Sequence, residues 1–379
     1  MFFALPLLAL SLTACGDKSD DTQTSTVAEA DADTDADADT DADADADTDA
    51  DADTDTDADT DADPMCDAAQ DIVDATNALL SSLDAEQLDT IQFDMDDEER
   101  FTWSNLPPIT TPREGLPMSE MTPDQVKLAN ALLDTALSED GYREAQGIIQ
   151  VELELELGGD GSADGDLYYF GVFDTPSMEE PWGWQFDGHH LAMSFTAIGC
   201  LHTMTPTLYG LSPVTVLSGP DAGWLPLGDE VELAEEFINS LSEEQMMMTE
   251  LEGNPGLITG PRWEGQLDYE GMLVSELDKT QEGLLFALIE TYILDQEVVF
   301  AQWKLDEVIE DWDETYIAWV GPTDSSLGIY YRVHGPRLII EFDHVSWDRN
   351  HIHATYRDPI NDYGTDLLAE HYQNVTHGN

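Results

Sequence analysis

Tyr331-Arg332-Val333-His334-Gly335-Pro336-Arg337-Leu338-Ile339-Ile340-Glu341-Phe342 decides the fold, because it has a counterpart in the first half of the chain. Trp184-Gln185-Phe186-Asp187-Gly188-His189-His190-Leu191-Ala192-Met193-Ser194-Phe195 carries glycine, leucine and phenylalanine at the same offsets. Both stretches alternate apolar and polar residues at the period of a strand, which puts successive side chains on opposite faces. Leu338, Ile340 and Phe342 then face a core, and Arg337, Ile339, Glu341 and Asp343 face away from it. In the counterpart His189, Leu191, Met193 and Phe195 share the apolar face, so His189 reads as structural. His190, Ala192 and Ser194 look the other way.

Working outward, each strand region follows a helical one. Gly115-Leu116-Pro117-Met118-Ser119-Glu120-Met121 resembles Gly271-Met272-Leu273-Val274-Ser275-Glu276-Leu277, and Gln125 and Gln281 follow at the same distance. Each opens a helix with Ser or Thr as the expected N-cap. The first half predicts helices over 126–137 and 142–157, the second over 284–294 and 298–309. The expectation is an α+β fold of two similar α-then-β halves, about 65–204 and 229–379, offset by about 150 residues and forming an antiparallel sheet backed by helices. The matches are short, so chance similarity is the alternative to duplication. A Pro/Gly-rich stretch, 205–228, reads as the connection, with further helices over 230–241, 242–251 and 366–375. The run Met246-Met247-Met248 reads as packing.

The first 64 of the 379 residues do not belong to this domain. Phe2 to Leu12 is apolar but shorter than the roughly 20 residues that span a bilayer. It fits a signal peptide over 1–14 ending in Leu12-Thr13-Ala14-Cys15, similar to a bacterial lipobox. That pattern implies cleavage before Cys15, lipidation of its thiol and a lipid anchor in the membrane. The address is extracytoplasmic, in the cell envelope, with the outer membrane favoured because Gly16 stands where retention signals carry Asp. From Asp31 to Asp63 every odd residue is Asp with Ala or Thr between. Such a segment repels itself and buries nothing, so 15–64 reads as a disordered acidic tether of up to about 160 Å.

The net charge of −70 excludes a nucleic-acid partner, which needs a basic face. An apolar content of 41 % supplies a core for the remaining residues. Apart from Cys15 only Cys66 and Cys200 are present; in an extracytoplasmic compartment they either pair or stay as two buried thiols.

The chemistry concentrates between Arg332 and Asp358, where the chain's scarce histidines and arginines cluster. His351, His353, Thr355 and Arg357 share one strand face. A His-x-His pair brings two imidazoles to one side, and His190 from the other half with Glu341 would complete a His₃ or His₃-carboxylate set for zinc, or for copper or manganese. Two other readings are open: histidines hydrogen-bonded within a polar sheet face, and a metal-free site with histidine as general base. In the metal reading Glu341 is ligand or base and Arg357 orients a small or oligomeric anionic substrate, with Arg332 and His334 as further substrate-binding candidates. Each arginine has the plainer alternative of pairing with a nearby aspartate. Tyr330, Tyr331, Trp182 and Trp184 form either an aromatic wall or core. The expected activity is metal-dependent hydrolysis; the alternative is a non-enzymatic ligand- or metal-binding surface lipoprotein.

Several motifs together carry a resemblance: Glu99-Arg100-Phe101-Thr102-Trp103, Leu137-Ser138-x-x-Gly141-Tyr142, Trp182-Gly183-Trp184-x-x-x-Gly188-His189-His190-Leu191, Tyr330-Tyr331-Arg332-Val333-His334-Gly335-Pro336, Glu341, and Asn350-His351-Ile352-His353-x-x-x-Arg357-Asp358. Over roughly residues 70 to 373 the chain resembles the domain-of-unknown-function 3500 family. That family supplies no activity. The resemblance implies that the histidine and arginine motifs are family features.

Overall fold

The structure, a computed structural model, describes residues 63–158, 165, 167–253, 255–261, 263, 265–324 and 326–374. The expected signal peptide, Cys15 and all but the end of the acidic stretch lie outside the described residues. The chain runs α1 (Pro64–Ser82), α2 (Ala85–Ile91), β1 (Gln92–Phe93), β2 (Leu116–Pro117), α3 (Pro123–Ala136), α4 (Glu139–Leu157), β3 (Tyr169–Phe173), β4 (Trp182–Asp187), β5 (Leu191–Ile198), β6 (Leu201–Thr203) and β7 (Thr207–Leu211). It continues with α5 (Gly228–Ser240), α6 (Glu243–Thr249), β8 (Met272–Leu273), α7 (Lys279–Ile293), α8 (Val298–Glu310), β9 (Tyr316–Val320), β10 (Tyr330–Gly335), β11 (Leu338–His344), β12 (Ile352–Arg357) and α9 (Thr365–Asn374).

The class is α+β. One mostly antiparallel sheet has the order β1-β3-β4-β5-β7-β12-β11-β10-β9-β8, so the strands of the first half run inward to β7 and those of the second run outward from β12. The two halves join where β7 pairs with β12, His353 opposite Gly210. Thr207–Leu211 lies inside the stretch read as a connection, yet it is this central strand. Thr205-Pro206 and Ser212-Pro213 bracket it as cis peptides, so the prolines that look like linker punctuation flank the strand.

The helical layers repeat the same local solutions. Thr122 and Gln125 form a capping box on α3, and Asp278 and Gln281 form one on α7. Gln125 Nε2 donates to the Ser82 carbonyl at 2.9 Å, and Gln281 Nε2 to the Ser240 carbonyl at 2.8 Å. Gln87 and Gln245 donate in the same way to the carbonyls of Glu120 and Glu276. α1 and α2 lie outside the expected helices, although Asp63 caps α1 with Pro64 at its first position and Asp84 and Gln87 form a capping box on α2. The disulfide Cys66–Cys200 ties α1 to the turn between β5 and β6 and closes a separation of 134 residues.

The core lies between the helices and one sheet face. Leu338, Ile340 and Phe342 enter it as expected, with Leu191, Met193 and Phe195 from the first half. Trp182, Trp184 and Tyr331 are core rather than a ligand wall, and Trp184 stacks on Phe195 with centroids 3.8 Å apart. Each such buried side chain contributes roughly 1.5–3 kcal/mol of transfer free energy. Met246 packs partly against this core, while Met247 and Met248 are exposed.

The opposite face carries the polar residues and is covered by loops. In the first half Arg113 pairs with the buried Asp187 at 2.8 Å. In the second, the loop through Ile258 and Thr259 hydrogen-bonds Glu341. Trp103, Leu257 and Tyr363 meet over Ala192 and Leu208 between the two.

Candidate metal centre

Gly188-His189-His190 is not the start of a strand, as its alternation indicated, but the turn between β4 and β5. His190 sits at φ +62°, a left-handed conformation uncommon for a non-glycine residue. Three fixed contacts hold it there. Arg113 Nη2 donates to the Gly188 carbonyl at 3.1 Å, and Tyr168 Oη donates to the His189 carbonyl at 2.7 Å. Gly188 itself must lack a Cβ, which would lie 2.4 Å from the Tyr168 ring.

The third contact is Glu152, on the last turns of α4. Its two carboxylate oxygens meet His189 Nδ1 and His190 Nδ1, each at 2.8 Å. An ionised carboxylate only accepts, so both Nδ1 atoms carry protons, and the neutral His190 ring turns a lone pair outward at Nε2. Burial alone would raise the Glu152 carboxyl, but the bonds from His189 and His190 outweigh it and hold the group below its ordinary value. His189 is therefore not a core residue: it stacks on His190 with centroids 3.7 Å apart and shares its acceptor.

His351 and His353 approach from the start of β12, with their Nε2 atoms 3.2 Å apart. His190, His351 and His353 each offer a ligand atom, and these all lie within 4.8 Å of one another. The room for them comes from β7: a Cβ on Gly210 would sit 2.9 Å from the rings of both His190 and His353. The site thus straddles the seam of the sheet, one imidazole from the first half and two from the second. Burial first, then the neighbouring rings, lowers His353 well below its ordinary range. Burial likewise takes His190 to about 4 and lowers His351. All three are neutral near pH 7, the state in which imidazole coordinates a metal.

The remaining expected residues do not join them. Glu341 is fully buried one step along β11, where its carboxylate accepts from the backbone of Ile258 at 3.2 Å and Thr259 at 2.6 Å, and from Tyr330 Oη at 2.6 Å. Arg357 pairs with Asp362 at 2.7 Å, donates to the Thr259 carbonyl and lies over the Trp263 ring. Arg332 is held by Glu270 at 2.8 Å, and His334 stacks on Tyr269. The arginines took acidic partners, though not the aspartates nearest in sequence.

Two residues at the site are not among the expected site residues. Glu152 sits in the run Val151-Glu152-Leu153-Glu154-Leu155-Glu156, where nothing local separates it from solvated neighbours. Asp343 stands opposite His353 in the β11–β12 register, hence on the same face. Its Oδ1 has no hydrogen-bond partner, and burial followed by Glu341 raises its carboxyl to about 6.

Glu307 on α8 pairs with Arg337 at 3.0 Å and Lys304 at 3.2 Å. Among the described residues no second set of three histidines comes together. No curated protein and no solved structure matches the chain. A family model described as "Protein of unknown function (DUF3500)" matches residues 66–365, and on that match, which spans most of its length, the chain belongs to the DUF3500 family.

Proposed function

We propose that His190, His351 and His353 hold a divalent transition metal, zinc first, and that the protein is a metal-dependent hydrolase. The convergence of three neutral imidazoles carries this reading. Tetrahedral zinc with nitrogen ligands at about 2.0–2.1 Å has ligand–ligand edges of about 3.3 Å. The 3.2 Å between the Nε2 atoms of His351 and His353 fits that edge. Glu152 supplies the outer carboxylate that fixes ring tautomer and orientation in such sites. Three protein nitrogens leave a fourth position for water, whose pKa zinc lowers to about 7. In this reading Asp343, opposite His353 in the register, takes a proton in place of Glu341.

The test is zinc retention by the full chain after equilibrium dialysis, with ester hydrolysis followed in parallel. The expected result is one zinc per chain, lost with activity in the His351→Ala, His353→Ala double variant. A wild-type chain that retains no zinc overturns the reading. The second reading, a metal-binding surface protein without turnover, is favoured by Glu341 and Arg357 being fully engaged elsewhere. Zinc retained at one equivalent with no metal-dependent turnover of any ester or phosphoester selects it. The same engagement of Arg357 and Arg332 leaves the anionic character of the substrate without support from these two residues.

We further propose that the chain is a lipoprotein anchored through Cys15 in the cell envelope and that the repeated helix caps descend from duplication. Loss of membrane association in Cys15→Ser is the test of the anchor.

A further inference from the structure

At the other end of the central strands a pocket of ≈380 Å³ opens over β10 and β11, lined by Trp263, Tyr269, His334, Pro336, Ile339 and Pro359 among others. We propose that this pocket binds a neutral pyranose sugar ring. It is separate from the histidine centre: His353 and Arg357 mark the two ends of β12, about 13 Å apart at roughly 3.3 Å per residue, and the pocket lies beyond Arg357.

Size and walls come first. Small-ligand pockets range over about 300–1,000 Å³ and combine apolar walls with a few placed polar groups. Here two aromatic rings and two prolines supply flat carbon surfaces. The Tyr269 ring has His334 against one face at 4.2 Å and is about half exposed. The Trp263 ring has the Arg357 guanidinium at 4.8 Å.

The polar groups decide the class of ligand. His334 is 4 % exposed, and its Nδ1 has no hydrogen-bond partner. Burial, then Arg332, lowers this imidazole to about 4, so the ring is neutral, and a hydrogen bond to the Asp268 backbone uses its single proton. Nδ1 is then an acceptor awaiting a donor. Arg332, two residues away on the same strand face, is 1 % exposed and lies outside the pocket lining. A buried polar group without a partner is unfavourable, and a ligand or bound water that supplies the missing hydrogen bond relieves it.

A ligand that donates a hydroxyl to a buried neutral imidazole beside flat apolar faces is a hydroxylated ring. An anion fits less well. The Arg357 guanidinium against Trp263 is already paired with Asp362 at 2.7 Å, and Arg332, behind the lining, with Glu270 at 2.8 Å. Asp268 adds a third carboxylate at the rim.

The probes are glucose, galactose, mannose and N-acetylglucosamine, with the β-1,4-linked dimer of each, titrated into the full chain by calorimetry and tryptophan fluorescence. At least one is expected to bind saturably at one per chain. Tyr269→Ala, at a half-exposed ring that the fold does not depend on, and His334→Ala are each expected to weaken it about tenfold, the worth of one hydrogen bond or stacking contact. His334→Gln, which keeps an acceptor, is expected to lose less. Near-UV circular dichroism identifies any variant that misfolds, and Tyr269→Ala then decides alone. No saturable sugar, unchanged binding in Tyr269→Ala, or saturable binding of inorganic phosphate in place of sugar each overturns the proposal. None of these outcomes bears on zinc retention.

Discussion

Glu152→Gln separates the role of the carboxylate from that of its shape. In the wild-type chain both oxygens accept, from His189 Nδ1 and His190 Nδ1 at 2.8 Å each. Glutamine keeps one acceptor and replaces the other with a donor. One of the two histidines must then accept at Nδ1 and carry its proton at Nε2. If that ring is His190, its metal-binding lone pair is blocked; bound metal selects the other arrangement and bears the cost of the selection. Loss of such an outer-sphere partner lowers metal affinity by about 10–100-fold, or about 1.4–2.8 kcal/mol. The apo protein also loses a charge-assisted bond, worth roughly 1.5–3 kcal/mol. Competition against a chromophoric zinc chelator measures the first and urea unfolding of the metal-free chain the second. Zinc affinity unchanged in Glu152→Gln, while His353→Ala abolishes it, would refute the argument that Glu152 acts through the tautomer of His190.

Two further outcomes follow from buried groups and from connectivity. Breaking Cys66–Cys200, which spans 134 residues, removes about 5 kcal/mol of unfolded-state constraint by the loop-entropy relation. The Cys66→Ser, Cys200→Ser variant should show a correspondingly lower urea midpoint, and an unchanged midpoint excludes the bond. Glu230 is fully buried, and burial raises its carboxyl to about 7. The unfolded chain releases that proton near pH 4.3, so this group's stabilisation is complete below that pH and is lost as pH rises to 7 and just beyond. Glu230→Gln should therefore gain on the order of 3 kcal/mol over wild type between pH 5 and pH 8. A gap that is constant with pH contradicts the assignment.

Alternation along Leu338-Ile339-Ile340-Glu341-Phe342 was enough to place its faces, because a strand has only two and one of them is buried. The same alternation misplaced His189 and His190, because it does not announce where a strand stops. The turn between β4 and β5 depends on Arg113, Tyr168 and Glu152, all distant in sequence. β7 was hidden for a related reason: its flanking prolines and Gly210 have linker composition, and only pairing with β12 makes the segment a strand.

The sequence by itself determined the α+β class and the apolar faces of the strands, since both rest on local periodicity and residue chemistry. Tertiary structure alone decided that His190, His351 and His353 meet, that Glu152 orients them, and that Glu341 and Arg357 are spent on the covering loops. Those outcomes depend on strand register across the seam and on which buried charge reaches which partner. Both are properties of residues brought together from opposite halves of the chain.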